Sequence, residues 1–371
     1  MLNLTHNKAR PIGLDMGHTS IRMIQLAHSD DNARVIAADE TRLSANADDN
    51  GQITPEFAVS AIKEMLARGN FRGKDVVSSL SNDSLKIKSL RLDTTDHGQI
   101  EQLMRKDIAS QFGLDADRDE IRYMVAGNVY QGDEIKNEVI FFGADRESLA
   151  QHISLLEEAG LKPVGIDAVP CALFRCFRGS LRRQEDQQLV SVFIEVGDLF
   201  TTVIISRGQQ ISFVKQIPVA GRHLNQQVAS KLNVAYDEAI VLRSKLRNDS
   251  SESIDMQTRQ AIVDAMSHVI EELAKEISLC FKYYAVTFRG NRPSEAVFAG
   301  PEAYESTLID TLKERLDIEV KIAQPFRGFD LTGTNLASDK DRCFCEWAVA
   351  VGLGVKGWEP PDDECQNHER N

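Results

Sequence analysis

Acidic residues placed two positions before a glycine, at the end of an apolar run, are the first indication of chemistry in this chain. The stretch 11–27, PIGLDMGHTSIRMIQLA, reads as a β-hairpin in which Asp15 precedes Gly17 at the turn. Glycine lets a ligand approach the backbone, and the N–H groups and hydroxyls of such a turn can surround an anion. The acid would reach a phosphate through Mg²⁺ or its bound water. Taken alone, the stretch fits an ordinary hairpin with an exposed acid better than a phosphate site.

A second copy of this pattern lies half a chain away, in the stretch 190–218. Apolar strands flank its turn on both sides, as they do in the first copy. Self-similarity at such a separation predicts two related subdomains. Together the two hairpins resemble the phosphate clamp of the actin and sugar-kinase ATPase fold. The equivalent positions are Glu195 for Asp15, Gly197 for Gly17, and Thr201 close to Ser20.

The composition is that of an ordinary globular protein. The chain has 371 residues, of which 42% are hydrophobic and 27% charged, and this length predicts two or more subdomains. A net charge of -13 argues against nucleic acid as the main partner and against adsorption to an anionic membrane. No apolar run approaches the roughly 20 residues of a membrane span, and residues 1–10 lack a signal-peptide core. We therefore expect a cytoplasmic protein that is not itself inserted in a membrane.

Hydrophobic periodicity predicts a small α+β domain inserted into the first of two lobes. The insert begins with the alternating strand 85–92, and the second lobe contains a long amphipathic helix over 256–288. The remaining elements predicted in the insert are a helix over 99–112, strands over 120–127 and 137–143, and a helix over 147–159. The predicted boundaries are 11–83 and 164–180 for the first lobe, 84–163 for the insert, 189–355 for the second lobe, and flexible termini at 1–10 and 358–371.

In this order the motifs resemble the PilM family of type IV pilus assembly proteins, which are relatives of the cell-division protein FtsA. The resemblance runs from about residue 11 to residue 354. Its opening motif is carried by Gly13, Asp15, Gly17, Thr19, Ser20 and Arg22. Later parts are the run 157–163 that leaves the insert, the helix start 237–239, residues 276, 277, 283 and 284 of the long helix, and the loop 298–300.

The resemblance implies an actin-like (ribonuclease-H-like) α/β fold with two lobes, and ATP with Mg²⁺ between them. It also implies a position on the cytoplasmic side of the inner membrane, reached through a protein partner. That partner would be the short cytoplasmic tail of a PilN-like inner-membrane protein, and the chain would link it to the pilus motor proteins. Whether the chain forms a homo-oligomer is left open.

Site residues also follow from the resemblance. Asp15 and Glu195 would hold Mg²⁺ through water. Asp167 would be either the general base toward an attacking water or an acid at the N-terminus of the helix that follows. The residues implied to contact phosphates are Gly17, Thr19, Ser20, Gly197 and Thr201, with Arg22 pairing with the phosphate charge. His18 would either cap a phosphate or crowd the turn. On the adenosine side the implied residues are Gly300, Arg243 and Glu276, of which Arg243 and Glu276 are equally compatible with plain surface residues.

Three departures from the family pattern argue for a partly degenerate nucleotide site. Glu195 stands where an aspartate is usual, and its side chain is one methylene longer. Asp198 adds negative charge at the second turn, where a phosphate would lie. Pro301 removes an N–H from the last loop. At most, these departures allow a weak ATPase.

Three classes of function are compatible with the sequence. The first is a scaffold of a pilus or related secretion platform, which would bind an extended peptide along the edge of the strand 85–92. The second is a sugar or acid kinase of the same superfamily. The third is an FtsA-like filament that associates with a membrane, although the acidic, proline-containing tail does not resemble an amphipathic membrane helix.

Overall fold

The computed structural model describes residues 9–29, 32–42, 54–181, 184–247, 254–290, 292–338 and 342–356. The tail predicted to be flexible, 358–371, and residues 1–8 lie outside the described residues.

The strands are β1 (Ile12–Met16), β2 (Ser20–Ser29), β3 (Asn32–Arg42), β4 (Asp75–Leu80), β5 (Lys86–Leu92), β6 (Glu120–Gln131), β7 (Glu134–Ala144), β8 (Lys162–Ala168), β9 (Val190–Val196), β10 (Thr201–Arg207), β11 (Gln210–Ile217), β12 (Glu295–Ala299), β13 (Glu319–Ile322) and β14 (Phe329–Asp330). The α-helices are α1 (Pro55–Arg68), α2 (His97–Leu103), α3 (Ala109–Phe112), α4 (Arg146–Glu158), α5 (Val169–Arg178), α6 (Gly221–Leu232), α7 (Tyr236–Arg247), α8 (Met256–Thr287), α9 (Ser306–Leu316) and α10 (Ala348–Lys356). A π-helical turn, Met104–Ile108, joins α2 to α3.

The chain forms two compact units. Unit 1 comprises residues 1–125, 139–181 and 324–371, and unit 2 comprises residues 126–138 and 182–323. The sheet of unit 1 has the order β14-β3-β2-β1-β4-β8, and that of unit 2 has the order β11-β10-β9-β12-β13. Leaving out β14, the two orders are the same, with three antiparallel strands followed by two parallel ones. This repetition has the form that the two similar hairpins predict.

Helices cover both faces of the sheet in unit 1. On one face, Ile12 and Leu14 pack with α1 and with Leu156 of α4. On the other face, β2 and β3 pack with aromatic residues and small residues that include Trp347 and Ala350. The strands β1 and β4 carry buried apolar residues on both faces, because they lie in the interior of a sheet that helices cover on both sides.

Backbone contacts hold α10 against this second face. A Cβ atom placed on Gly13 would lie 2.4 Å from the backbone nitrogen of Gly354, and one placed on Gly352 would lie 1.8 Å from the carbonyl oxygen of Ala172. Only glycine fits at such approaches. The sequence assigned residues up to 355 to the second lobe. The structure differs, because this packing groups residues 324 onward with unit 1.

The inserted domain is smaller than the sequence suggests. Its sheet has the order β5-β7-β6, and its core joins α2 and α3 to residues such as Ile121 and Phe141. Helix α4 was predicted as part of the insert, but its Leu156 packs in the core of the main sheet of unit 1. The end of the β6–β7 hairpin, 126–138, is part of unit 2, where the Tyr283 hydroxyl donates to a Glu138 carboxylate oxygen at 2.8 Å.

Among the helices of the described residues, none combines the length and the apolar composition needed to cross a bilayer.

Candidate functional site

The first acid–glycine hairpin lies where the sequence predicted, between β1 and β2. The Gly17 N–H donates to the Ser20 carbonyl at 3.0 Å and closes the turn. Asp15 is paired across the strands with Arg22. Because β1 is the parallel neighbour of β4, the turn follows the carboxyl end of a parallel strand, where α/β sheets bind ligands.

Asp15 is buried beside a cation that it shares with a second acid. The Arg22 guanidinium lies 3.9 Å from Asp15 and 2.8 Å from Glu40. Burial raises the pKa of Asp15 to about 6, against the opposing effects of Arg22 and His18. Near neutral pH, the Asp15 carboxyl group can therefore exchange a proton.

The polar residues of this turn differ in their surroundings. Thr19 is exposed. Ser20 is buried, and its hydroxyl has no hydrogen-bond partner among the described residues. The His18 ring lies 3.7 Å from Asp83, and it is the largest cause that lowers the pKa of that carboxyl group. Two hydroxyls that could donate to an anion thus stand at this turn.

Asp167 ends β8, on the other side of β4 from Asp15. Because Ser79 of β4 lies opposite Asp167 and its neighbour Ser78 lies opposite Leu14, the Cα atoms of the two acids are roughly 10 Å apart, two strand spacings. The Asp167 carboxylate is 2.6 Å from Arg175 and 3.5 Å from Lys356. The carboxylate is thus already paired with two cations of unit 1. The general-base role of Asp167 stays a prediction.

The second hairpin repeats the backbone of the first. The Gly197 N–H donates to the Phe200 carbonyl at 3.1 Å, and Glu195 is paired across the strands with Thr202. Glu195 is therefore the structural counterpart of Asp15, as predicted. Thr202 is the counterpart of Arg22, so the cation beside the first acid is replaced by a hydroxyl.

The Glu195 carboxylate lies over two glycines. A Cβ atom on Gly197 would be 3.2 Å from its Oε1 atom, and one on Gly300 would be 3.1 Å from the same atom. Gly300 has a φ of 89°, and its added Cβ would also lie 2.5 Å from the Val196 carbonyl oxygen. Gly300 thus follows β12 in a conformation that only glycine adopts easily.

The other two candidates in the second turn bind protein groups. The Arg222 guanidinium donates to Asp198 at 2.9 and 3.1 Å. The Thr201 side chain is fully buried, and its hydroxyl donates to the Val219 carbonyl at 2.7 Å. Asp198 is therefore a neutralised anion, and the proton of Thr201 is already donated.

Arg243 lies at the centre of a buried ion-pair cluster, which we call the clasp: Arg243, Arg247, Glu302 and Glu305. Arg243 is 1% exposed and donates to both glutamates, at 2.6 Å to Glu302. Arg247 contacts the same two carboxylates. Burial opposes ionisation of Glu302, but the two arginines outweigh it and lower the pKa of that carboxyl group. No described contact joins Glu276, half-buried on α8, to the clasp.

Comparison with known proteins decides the family. A family model described as type IV pilus assembly protein PilM matches residues 13–358, nearly the whole chain. The chain belongs to the PilM family. It is similar to the solved structure of a PilM–PilN type IV pilus biogenesis complex, with a TM-score of 0.77, 19% identity and coverage of 95% of this chain and 99% of that chain.

Two further solved structures are similar at lower scores. Ethanolamine utilization protein EutJ from Carboxydothermus hydrogenoformans matches with a TM-score of 0.55 and 12% identity, covering 96% of this chain and 92% of that chain. MreB 5 of Spiroplasma citri bound to AMPPNP matches with a TM-score of 0.45 and 12% identity, covering 94% and 96%. The family match and the likeness to the PilM–PilN and EutJ structures confirm the actin-like fold predicted from the sequence.

For this PilM family chain, sequence reasoning missed the glutamates of the clasp. Their signal was present: Arg243 and Arg247 are four residues apart on α7, and Glu302 and Glu305 are three apart after Gly300. Such spacings place each pair on one side of a helical turn. The 59-residue separation between Arg243 and Glu302 hid their association.

The residues present fit a metal only weakly. Among the described residues, no group of three or more His, Cys, Asp or Glu side chains is positioned to hold a metal ion. Asp15 and Glu195, predicted to hold Mg²⁺ through water, belong to different units. In unit 2, every residue implied to contact phosphate or adenosine, except Glu276, is already in contact with another group of the protein.

Proposed function

We propose that this chain is a scaffold of a type IV pilus or related secretion platform that binds the cytoplasmic tail of a PilN-like inner-membrane protein. The observation that carries the proposal is the family match over residues 13–358. The likeness to a PilM–PilN complex over 95% of this chain supports it. This role requires a position at the cytoplasmic side of the inner membrane, held by the partner rather than by a span of the chain itself. Family membership favours the scaffold over a kinase and over an FtsA-like filament.

The sheet of the inserted domain offers an edge where an extended tail could add as a further strand. β5 ends the order β5-β7-β6, so one side of its backbone has no strand partner among the described residues. The ammonium groups of Lys86 and Lys88 donate to carbonyls at the end of α3, at 2.8 and 2.5 Å. These bonds fix one face of β5 against the helix and leave its edge for main-chain hydrogen bonds.

A direct test is fluorescence anisotropy with a labelled peptide of the tail of the PilN-like protein encoded by the same organism. We expect saturable binding by the full chain and none of a scrambled peptide. Absence of binding by the folded parent protein would contradict the proposed function.

The docking edge is tested by Ile87→Pro and Lys88→Pro. Consecutive strand residues direct their N–H groups to opposite sides, so one of the two variants removes an outward donor while the other breaks the sheet. We expect the variant that retains the parent circular dichroism to lose binding at least about tenfold. The matched pair on the opposite edge strand β6, Arg122→Pro and Tyr123→Pro, should yield a folded variant that binds normally.

A further inference from the structure

Two glycines mark the place in unit 2 where a ligand would be expected. β9 and β12 are adjacent and parallel, with Ala299 opposite Glu195, and each strand is followed closely by a glycine, Gly197 or Gly300. The carboxyl ends of adjacent parallel strands are where α/β sheets bind ligands, and glycines there admit phosphates. The groups around these glycines therefore decide whether unit 2 can bind part of a nucleotide.

A carboxylate already fills the space over both glycines. The Oε1 atom of Glu195 is within 3.2 Å of the position that a Cβ atom would take on either one. A phosphate placed there would meet a negative charge at contact distance, which is strongly unfavourable in a partly buried site.

The N-terminus of α6 has no free donors for an anion at its first three positions. The N–H groups of Gly221 and Arg222 donate to the carbonyls of Gly197 and Asp198, at 3.0 and 2.8 Å. The N–H of His223 donates to the Ala220 carbonyl at 3.0 Å. A helix N-terminus binds phosphate through its unpaired N–H groups, and here these groups bind the second hairpin instead.

The clasp covers the remaining side. A Cβ atom on Gly221 would lie 2.5 Å from Glu302 Oε1, so this carboxylate packs directly on the start of α6. Arg243 also donates to the Gly221 carbonyl and to the Asn225 side chain, at 3.2 and 2.7 Å. Two arginines and two glutamates sum to zero charge, which leaves no net attraction for a polyphosphate.

We propose that these side chains close unit 2 to nucleotide, and that the unit is held together by its own ion pairs instead of by ATP.

Thermal unfolding of the full chain with and without 5 mM Mg-ATP, on the order of a cellular concentration, gives the first test. A ligand present at about 100 times its Kd raises the midpoint by several degrees. We expect a change of less than about 1 °C. A saturable rise with increasing Mg-ATP would overturn the proposal.

An opened variant tests the cause. Glu195→Ala with Glu302→Ala removes both carboxylates from the glycines and leaves the clasp with one excess positive charge. We expect at least about tenfold tighter binding of a fluorescent ATP analogue than in the parent protein, because a net positive, uncovered site attracts phosphate. The control is Glu272→Ala, which removes an exposed carboxylate of α8 in the same unit and should leave the binding of the analogue unchanged.

If the double variant fails to fold, the binding of the analogue is measured with Glu195→Ala alone, because this variant keeps all four residues of the clasp. A folded opened variant that binds no better than the parent protein would show that these carboxylates are not what closes the unit, and would overturn the proposal.

Discussion

The two hairpins share a backbone and differ in how they hold their acid. In unit 1, Arg22 stands beside Asp15 on the neighbouring strand and contacts Glu40 as well. In unit 2, Thr202 takes that place, and the Glu195 carboxylate turns to the glycines instead. The two hairpins thus have the same turn and the same backbone hydrogen bond, but they differ in the charged groups beside the acid.

The hydroxyl groups near the two turns also differ, although they do not occupy equivalent positions. Ser20 keeps a hydroxyl without a partner among the described residues, whereas the Thr201 hydroxyl donates to a carbonyl. A buried arginine that contacts two acids lies on strand β2 in unit 1 and on helix α7 in unit 2. One hairpin therefore retains groups that could meet a ligand, and the other has turned them to internal contacts.

The clasp should show the largest effect. Arg243→Met leaves two buried carboxylates with Arg247 as their remaining cation, and we expect the free energy of unfolding in urea to fall by about 3–5 kcal/mol. Arg315→Met is the matched control, because Arg315 pairs with Glu271 at the surface, where a pair contributes at most about 1 kcal/mol. Equal losses in the two variants would mean that the clasp does not hold unit 2.

Unit 1 should instead be most sensitive at a backbone contact. Gly352→Ala would push α10 away from the Ala172 carbonyl, and we expect the unfolding free energy to fall by about 3 kcal/mol. Gly165→Ala is the control in the same unit, since its added Cβ would meet Val77 at an ordinary 3.7 Å. A tolerated Gly352→Ala would show that α10 is not seated as described.

The buried carboxyl group of Asp15 and the half-buried imidazole of His152, both in unit 1, should have opposite effects on stability as pH changes. The pKa of Asp15 is raised from 3.8 to about 6, so the folded state holds the extra proton and stability falls as pH rises through this window. The pKa of His152 is lowered by burial from 6.5 to about 4, so the unfolded state holds the extra proton there and stability rises with pH.

These slopes nearly cancel in the parent protein between about pH 4 and 6. We expect Asp15→Asn to become more stable by about 2 kcal/mol as pH rises through this window, and His152→Gln to become less stable by a similar amount. Urea unfolding at several pH values measures both. Identical slopes in all three proteins would contradict the burial of these groups.

The smallest effect concerns the hydroxyl that has no counterpart in unit 1. Thr201 aligns with the apolar Ile21, because Val196 and Met16 lie opposite them in the two hairpins. Thr201→Val should lower the unfolding free energy by about 1 kcal/mol through loss of the bond to Val219. No loss would mean that the carbonyl finds another donor.

Local patterns in the sequence predicted the elements well. The two acid–glycine hairpins and the long helix α8 follow from periodicity and turn residues, which act over short distances. The repeat of glycine and acid also identified the equivalence of Asp15 and Glu195.

The assignments that differ depend on contacts between distant parts of the chain. α4 and α10 were placed in the wrong neighbourhoods by their position in the sequence, although their apolar residues were evident. Gly13 was interpreted as part of a nucleotide motif, but it is also the point where α10 touches β1. Which elements of the chain pack together at such contacts depends on the shape and charge of their surfaces, and a single sequence does not show these.

The position of α10 has a consequence for biosynthesis. Its residues cover β1 and pack on α5, yet the ribosome makes them after all of unit 2. Unit 2, which ends at residue 323, can therefore complete its sheet while the first strands still present an uncovered apolar face. Domains fold as they emerge during synthesis, and exposed apolar faces invite aggregation. The first strands to be synthesised are thus the last to be fully packed. A translation stop after Ala323 would leave their apolar face uncovered in a chain whose unit 2 is complete.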